Sequence, residues 1–363
     1  MAQPKYQLLQ QWLRDQINSG EYTANQQIPT ELELAEQFGY SRQTIRQAIS
    51  GLEQEGLLKR TPGRGTFVCR QNAGRVNRSE SRTRRVGVLT TYLDDYIFPG
   101  IINGIERVLS RHDYLFTLGL THNKTLDEAT ALQKLLAAGV DGLIIEGTKT
   151  ALPTPNEGIL QSFRDAGILM VFINGCYDGA NDSYVLMDDV QSGELLTQHL
   201  IDRGHTQIGG IFKSDDIQGV KRYEGVVKGM QKNDGHIKDD CILWYTTEDV
   251  RYLFEGSMDE MILKRLADST AVVCYNDEIA AKLIDVLRRA GRRVPDDLSV
   301  VGFDNSPFAG SQLYNLTTVT YPAADIGETA ANVLMRCLED PEHREHIKIK
   351  PNIVERGSVR CLK

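Results

Sequence analysis

From Arg85 onward, short apolar runs alternate with helix-length segments, and this constrains the fold more than any other feature of the 363-residue chain. VGVLTT precedes Phe98 to Arg111, YLFTLGL precedes Leu126 to Ala138, DGLIIEG precedes Glu157 to Ala166, and LMVFING follows. After VLMDD the pattern resumes with Ser192 to Arg203, IGGIFK, Lys221 to Lys232, and AVVCYND with a helix reaching Ala290. LSVVGFDN and a helix from Ala323 to Leu338 close it. Strands this apolar need cover on both faces, and parallel strands need a helical crossover. The pattern therefore predicts α/β architecture in two groups, divided near Tyr184 to Val190, that form two doubly wound lobes. Ligands of such folds sit beyond the C-terminal ends of the strands, in the cleft between lobes.

The first quarter has a different texture. Tyr6 to Asn18 reads as an amphipathic helix that buries Leu9, Trp12, Leu13 and Ile17. Thr30 and Glu33 have capping-box spacing for a short helix with Leu32, Leu34, Ala35 and Phe38 on or near one face, broken by Gly39. Ser41 can cap a second helix with Ile45, Ala48, Ile49 and Leu52 at core-facing spacing. Leu57 to Arg60 and Gly65 to Val68 read as strands around the turn Thr61-Pro62-Gly63-Arg64. Two short helices, a tight turn and a basic hairpin form a winged helix-turn-helix, whose second helix reads the major groove of DNA.

Charge follows the same division. Through Arg85 there are 13 Lys/Arg against 8 Asp/Glu, and beyond it 28 against 41, for a net −8. A basic head on an acidic body fits a nucleic-acid reader joined to a part that does not touch DNA. Between them RQNAGRVNRSESRTRR has no apolar period and reads as a linker. The expected domains are 1–70, linker 71–84, and 85–363. The six cysteines (69, 176, 241, 274, 337 and 361) form no C-x-x-C pair, which predicts reduced thiols, a cytoplasmic setting and no zinc framework. No leader-like apolar segment and no apolar run of about 18 residues is present, so no membrane partner is expected. GRGTF lacks the third glycine and following helix of a dinucleotide fingerprint; His343 and His346 have no metal-ligand companions. His205 reads as a packed or capping residue. With no nucleophile motif either, the chain is not expected to be an enzyme or to carry a cofactor.

Residues Gln27 to Val68 resemble the DNA-binding domain of GntR-type winged-helix repressors, through Pro29-Thr30-Glu31, Leu34-Ala35, Ser41-Arg42, Thr44-Ile45-Arg46, Ala48, Leu52 and Gly65-Thr66-Phe67-Val68. From about Arg85, the strings HLIDRGHTQIGGI, VKRYEGVVKGM, VCYNDEIAAKLIDVLRRAGRRVPDDLSVVGFDN and LTTVTYPAADIGETAA resemble the effector domain of LacI/GalR repressors and the periplasmic sugar-binding proteins. The pairing, with GVLTTYLDDYIFPGIINGIE, DGLIIEGTKTALPTPN and IFKSDDIQGVKRYEG, is similar to the arabinose-repressor family of Gram-positive bacteria. The resemblance implies a winged helix-turn-helix (α+β) followed by two doubly wound parallel-sheet lobes of periplasmic-binding-protein type. It also implies a homodimer on operator DNA, released by a pentose such as L-arabinose. The Arg-rich linker departs from the LacI/GalR pattern, which has a hinge helix there, so that mode of DNA bending is not carried over.

Expected DNA contacts are Arg42 and Arg46 to bases with Gln43 and Thr44 beside them, and Lys5, Thr30 and Arg64 to phosphates. Glu31, Ser41 and Gly65 complete the set. A sugar presents hydroxyls that both donate and accept around a ring with apolar faces, so charged, amide and aromatic side chains at strand ends suit it. The resemblance places effector contacts at Arg222, at the start of a helix, and at Asn276 and Asp304. Strand-end position and the closer match add Tyr92, Tyr96, Glu146, Lys149, Asn174 and Asp277. Each of these can equally be a capping or loop residue, and for Asp188 and Asp189 a hinge or capping role competes with ligand contact.

Overall fold

The structure is a computed structural model describing residues 4–18, 21–23, 26–54, 57–61, 64–68, 82–177 and 181–363. Pro62 and Gly63 of the expected turn, Cys69, and linker positions 71–81 lie outside the described residues. The chain divides into two compact units, Met1–Ser81 and Arg82–Lys363.

In the first unit α1 (Lys5–Asn18), α2 (Glu31–Phe38) and α3 (Arg42–Gln54) precede strands β1 (Leu58–Thr61) and β2 (Gly65–Val68). The capping box forms: Thr30 Oγ1 accepts from Glu33 N at 3.3 Å, and Glu33 Oε2 accepts from Thr30 N at 2.6 Å. Gly39, at φ 62°, ends α2 in the left-handed conformation that a side chain would strain. Ser41 Oγ accepts from Thr44 N at 3.2 Å and so opens α3. Leu9, Leu13, Leu34, Ile45, Ile49 and Leu52 form the core. Leu32 does not join it and is 49% exposed, because it lies two positions from Leu34 and so on the opposite side of the helix. β1 and β2 pair antiparallel, with Leu58 opposite Val68 and Thr61 opposite Gly65. Gln26 and Ile28 add backbone hydrogen bonds along the outer edge of β2.

In the second unit the chain runs β3 (Arg85–Thr90), α4 (Phe98–Arg111), β4 (Leu115–Leu120), α5 (Thr125–Ala137), β5 (Gly142–Ile145), α6 (Glu157–Asp165), β6 (Leu169–Ile173) and β7 (Ser183–Met187). It continues α7 (Asp189–Asp202), β8 (Ile208–Lys213), α8 (Ile217–Gln231), β9 (Ile242–Tyr245), α9 (Val250–Leu253), α10 (Asp259–Arg265), β10 (Ala271–Cys274) and α11 (Asp277–Arg289). The last elements are β11 (Ser299–Asp304), β12 (Thr317–Thr320), α12 (Ala323–Glu339), β13 (His346–Ile349) and β14 (Ile353–Val354).

Two six-stranded sheets result, in the orders β13-β7-β6-β5-β3-β4 and β14-β12-β11-β10-β8-β9. All pairs are parallel except β12 with β14. Each sheet carries a hydrophobic cluster on both faces, which explains why the strands read as continuous apolar runs. In each lobe strand order reverses beside the first strand, between β3 and β5 and between β8 and β10, and such switch points open the binding crevice.

Several expectations need correction. The chain crosses between lobes after β7, β12 and β13 rather than once, so α12 packs on α4, β5, β6 and β7 of the first lobe. Residues 82–84, read as linker, dock on the second unit: Thr83 N donates to Asp141 Oδ1 at 3.0 Å and Arg84 to His112 O at 3.0 Å. α8 starts at Ile217, so Arg222 stands in its second turn instead of opening it.

Candidate functional site

On the first unit, Arg42, Gln43 and Arg46 are exposed on α3, while Ile45, Ala48 and Ile49 of the same helix are buried. Ser41 and Thr44 are engaged at its N-terminus, their hydroxyls 2.8 Å apart. Glu31 Oε2 accepts from Arg46 Nε at 2.7 Å and its Oε1 from Arg60 at 2.9 Å. Glu31 thus ties an arginine of the reading helix to one on β1, which sequence reasoning did not single out. Lys5 lies 5.3 Å from the centroid of the Tyr40 ring, and Thr30 is occupied in its cap. Arg64 is exposed next to Gly65, whose φ of 115° excludes a side chain; an added Cβ would lie 2.3 Å from the Gln27 amide. The face offers guanidinium and amide donors, as a phosphate backbone and base edges require.

In the second unit a cavity of about 640 Å³ opens between the lobes at the switch points. Tyr92 and Tyr96 line it from beyond β3 and Glu146 from β5, while Arg222, Asn276 and Asp304 line it from the second lobe. Asn174 stands behind this wall: its Nδ2 donates to Glu146 Oε1 at 2.7 Å and its Oδ1 accepts from the Tyr321 hydroxyl. Glu146 Oε2 also accepts from the Thr91 N and Oγ1, each at 2.7 Å. Burial raises its pKa in spite of these donors.

Arg222 is the hub of the opposite wall. Its Nε donates to Asp189 Oδ1 at 2.8 Å, a second nitrogen donates to Tyr275 O at 2.5 Å, and a third lies 3.5 Å from Asp304 Oδ1. Its guanidinium also stacks 4.6 Å from the Phe303 ring centroid. Burial would depress this cation, but Asp189 and Asp304 outweigh it and hold the charge firmly. Burial pushes Asp189 up to about 6, with Arg222 opposing. Asp304 Oδ2 accepts from the Tyr96 hydroxyl at 2.6 Å across the cleft. Asn276 Oδ1 caps α11 by accepting from Ile279 N at 3.0 Å.

Two expected contacts lie elsewhere. Asp277 is fully buried behind the cavity, accepting from Ser306 N at 2.7 Å and Thr318 Oγ1 at 2.6 Å, because the first turn of α11 points it into the sheet. Lys149 is off the cavity wall, paired with Glu248 at 2.8 Å. The competing role of Asp188 is what the structure shows, since it caps α7 by accepting from Gln191 N at 3.0 Å.

Sequence reasoning passed over Lys213, Asp216, Tyr275 and Asp95, all of which line the cavity. Lys213 ends β8, so the strand-end rule applied elsewhere could have found it. Its ammonium is 2.6 Å from Asp216 Oδ2; Asp216 and Asp215 outweigh burial and raise its pKa. Asp95 Oδ1 is buried without a hydrogen-bond partner, and burial, then Asp304, pushes the group up to about 7. The cavity therefore combines charged donors, carboxylate acceptors and the rings of Tyr92, Tyr96, Tyr275 and Phe308. Donors, acceptors and rings in this combination are what a polyhydroxylated ligand requires.

Comparison with known proteins finds relatives for both units. Residues 5–68 match the family described as bacterial regulatory proteins, gntR family, and residues 197–359 match the periplasmic binding protein-like domain. The chain is similar to the arabinose metabolism transcriptional repressor of Geobacillus stearothermophilus, with 38% identity over 98% of each chain. Transcription regulator CcpA of Lactococcus lactis has the same fold over 77% of this chain and 100% of that one, with TM-score 0.68 and 23% identity. A LacI family regulator from Enterococcus faecium with bound ribose covers the same shares at TM-score 0.64 and 25% identity. These relatives are transcription regulators. Among the described residues no helix is long and apolar enough to cross a membrane. A DNA-reading winged helix and a two-lobed sugar-type cleft on one polypeptide, with identity over nearly its full length, place this chain in the family of arabinose metabolism transcriptional repressors.

Proposed function

We propose that the protein binds operator DNA through α3 and the wing as a homodimer in the cytoplasm, and that a pentose, L-arabinose in first place, releases it. The carrying observation is the interlobe cavity, where Arg222, Asp304, Glu146 and Asn276 offer fixed donors and acceptors beside aromatic rings. A site that hydrogen-bonds each hydroxyl discriminates strongly against sugars that leave its buried groups unpaired. The names of the relatives support arabinose; the bound ribose of the Enterococcus regulator supports an aldopentose. Arg42 and Arg46 act as base readers, with Gln43 and Thr44 beside them. Lys5, Thr30, Ser41, Arg64 and the Gly65 amide hold the backbone, and Glu31 orients Arg46. A single small head makes few base contacts, so two heads on a two-fold site supply the required affinity.

Closing the lobes around the sugar alters the spacing of the heads, and the effector shifts the equilibrium only by its differential affinity for the two states, about 1–3 kcal/mol. Titration calorimetry against L-arabinose, D-xylose, D-ribose and D-galactose, followed by operator binding at saturation, tests this. Arabinose is expected to bind tightest and to lower operator affinity. Arg222→Ala is expected to abolish sugar binding, while Arg46→Ala abolishes operator preference with sugar binding intact. Tight arabinose binding with unchanged operator affinity would overturn the release mechanism.

A further inference from the structure

The lobes meet at a second place, at the margin of the cavity, where Lys149, Glu248 and Asn123 stand off its wall and Asp216 and Thr247 belong to it. Lys149 of the first lobe reaches Glu248 at 2.8 Å and Asp215 at 3.2 Å, both on the second lobe. Asn123 spans the same gap: its Oδ1 accepts from Lys149 N at 2.8 Å, and its Nδ2 donates to Thr247 Oγ1 at 2.6 Å and Asp216 Oδ1 at 3.3 Å. Ile217 N donates to Thr150 Oγ1 at 3.1 Å, and Ala151 N to Asp215 O at 3.3 Å. Asn123 is fully buried and Lys149 is 19% exposed, so both depend on partners from the other lobe. Parting the lobes would break all of these bonds together except the one between Lys149 N and Asn123, which lies within the first lobe.

The backbone on the first-lobe side is also held in an unfavourable form. His122 (φ 49°), Asn123 (φ 53°) and Lys149 (φ 49°) are left-handed although none is glycine. Such conformations persist where surrounding contacts over-determine them.

We propose that Lys149 and Asn123 form an interlobe latch, positioning residues that set how readily the cleft closes and so tune effector affinity without touching the sugar. A ligand that binds the closed form has an apparent affinity reduced by the fraction of molecules not closed. Loosening the latch therefore weakens every sugar by one factor. A direct contact would instead weaken sugars unequally, because they differ in hydroxyl placement. The inference rests on the sugar occupying the cleft.

The test uses the full-length protein with Lys149→Ala, the partly exposed Glu248→Ala, and the conservative Lys149→Arg. Hydrogen exchange at the Ala151 and Ile217 amides, both bonded across the cleft, reads closure without any sugar. Calorimetry with L-arabinose, D-ribose and D-xylose reads affinity. Both alanine variants are expected to speed exchange at those amides. They should also weaken every sugar that binds by about tenfold, with the ratios between sugars preserved and Lys149→Arg within about twofold of wild type. Faster exchange in a protein whose wild type binds none of the three sugars would support the latch while sinking the sugar assignment. Unchanged exchange and affinity in both alanine variants, or a change confined to one sugar, would overturn the latch.

Discussion

At the scale of single residues, burial decides what an ionisable group does. Asp277 was expected at the effector site from its position after a strand, yet its carboxylate faces the interior beside Thr318. Burial, then the charge of Asp304, pushes its pKa up to about 7 from 3.8 in an unstructured chain. The folded protein thus holds this proton more tightly than the unfolded chain does. The stabilisation is complete at acid pH and is lost as the pH climbs through about 7. Asp277→Asn cannot ionise, so the wild type's margin in melting temperature over this variant is expected to shrink between about pH 4 and about pH 7 and to stay level above that. A margin independent of pH would contradict this account. The cavity positions of Asp304 and Glu146 were legible because both close buried strands, whereas Arg222, inside α8, was reached through the family resemblance. The place of Lys149 was not legible, since nothing in its own segment reveals that Glu248 stands opposite.

At the scale of elements, the helices obey their periodicity but their closest contacts do not show in it. α4 crosses α12 so tightly that a Cβ on Gly104 would lie 2.1 Å from Ala324 O, and one on Gly327 2.0 Å from Ile101 O. The second lobe repeats the device between α7 and α8, where a Cβ on Gly193 would lie 2.2 Å from Arg222 O and one on Gly225 2.1 Å from Val190 O. Gly104→Ala is expected to destabilise by about 1–3 kcal/mol through overpacking, read by denaturant unfolding. Gly158, in α6 with nothing near its Cβ position, serves as control. Its change to alanine should be neutral or stabilising by roughly 0.5–1 kcal/mol. Equal stability of both variants would show that the backbones can separate without cost. In a sequence pattern a helical glycine registers only as weak propensity, so the partner helix had to be seen.

For the whole molecule, β4 and β9 are edge strands of the two sheets, at the ends away from β13 and β14. The loops after them meet through Asn123 and Thr247, so the edges run along one flank. Leu115 on β4 is 74% exposed and Trp244 on β9 is 42% exposed. Unprotected edges with exposed apolar side chains invite pairing with another chain. This flank is therefore an expected dimer surface, in addition to the helix α4 and its second-lobe counterpart. Sedimentation of the intact protein at micromolar concentration should give a dimer, weakened in Leu115→Glu and Trp244→Glu. A wild-type monomer, or variants that dimerise unchanged, would exclude this surface.

The winged helix, the α/β character of the remainder and most of the strand-end side chains were readable from the residues alone. These depend on local rules: caps, turn residues, and whether apolar positions recur every 3.6 residues or run unbroken. The threefold crossing between lobes, the place of α12 in the first lobe, the Arg222 hub and the Lys149 bridge were decided only by tertiary structure. Each depends on which distant segment fills the space next to a residue, and packing and charge pairing choose that partner after the local elements exist.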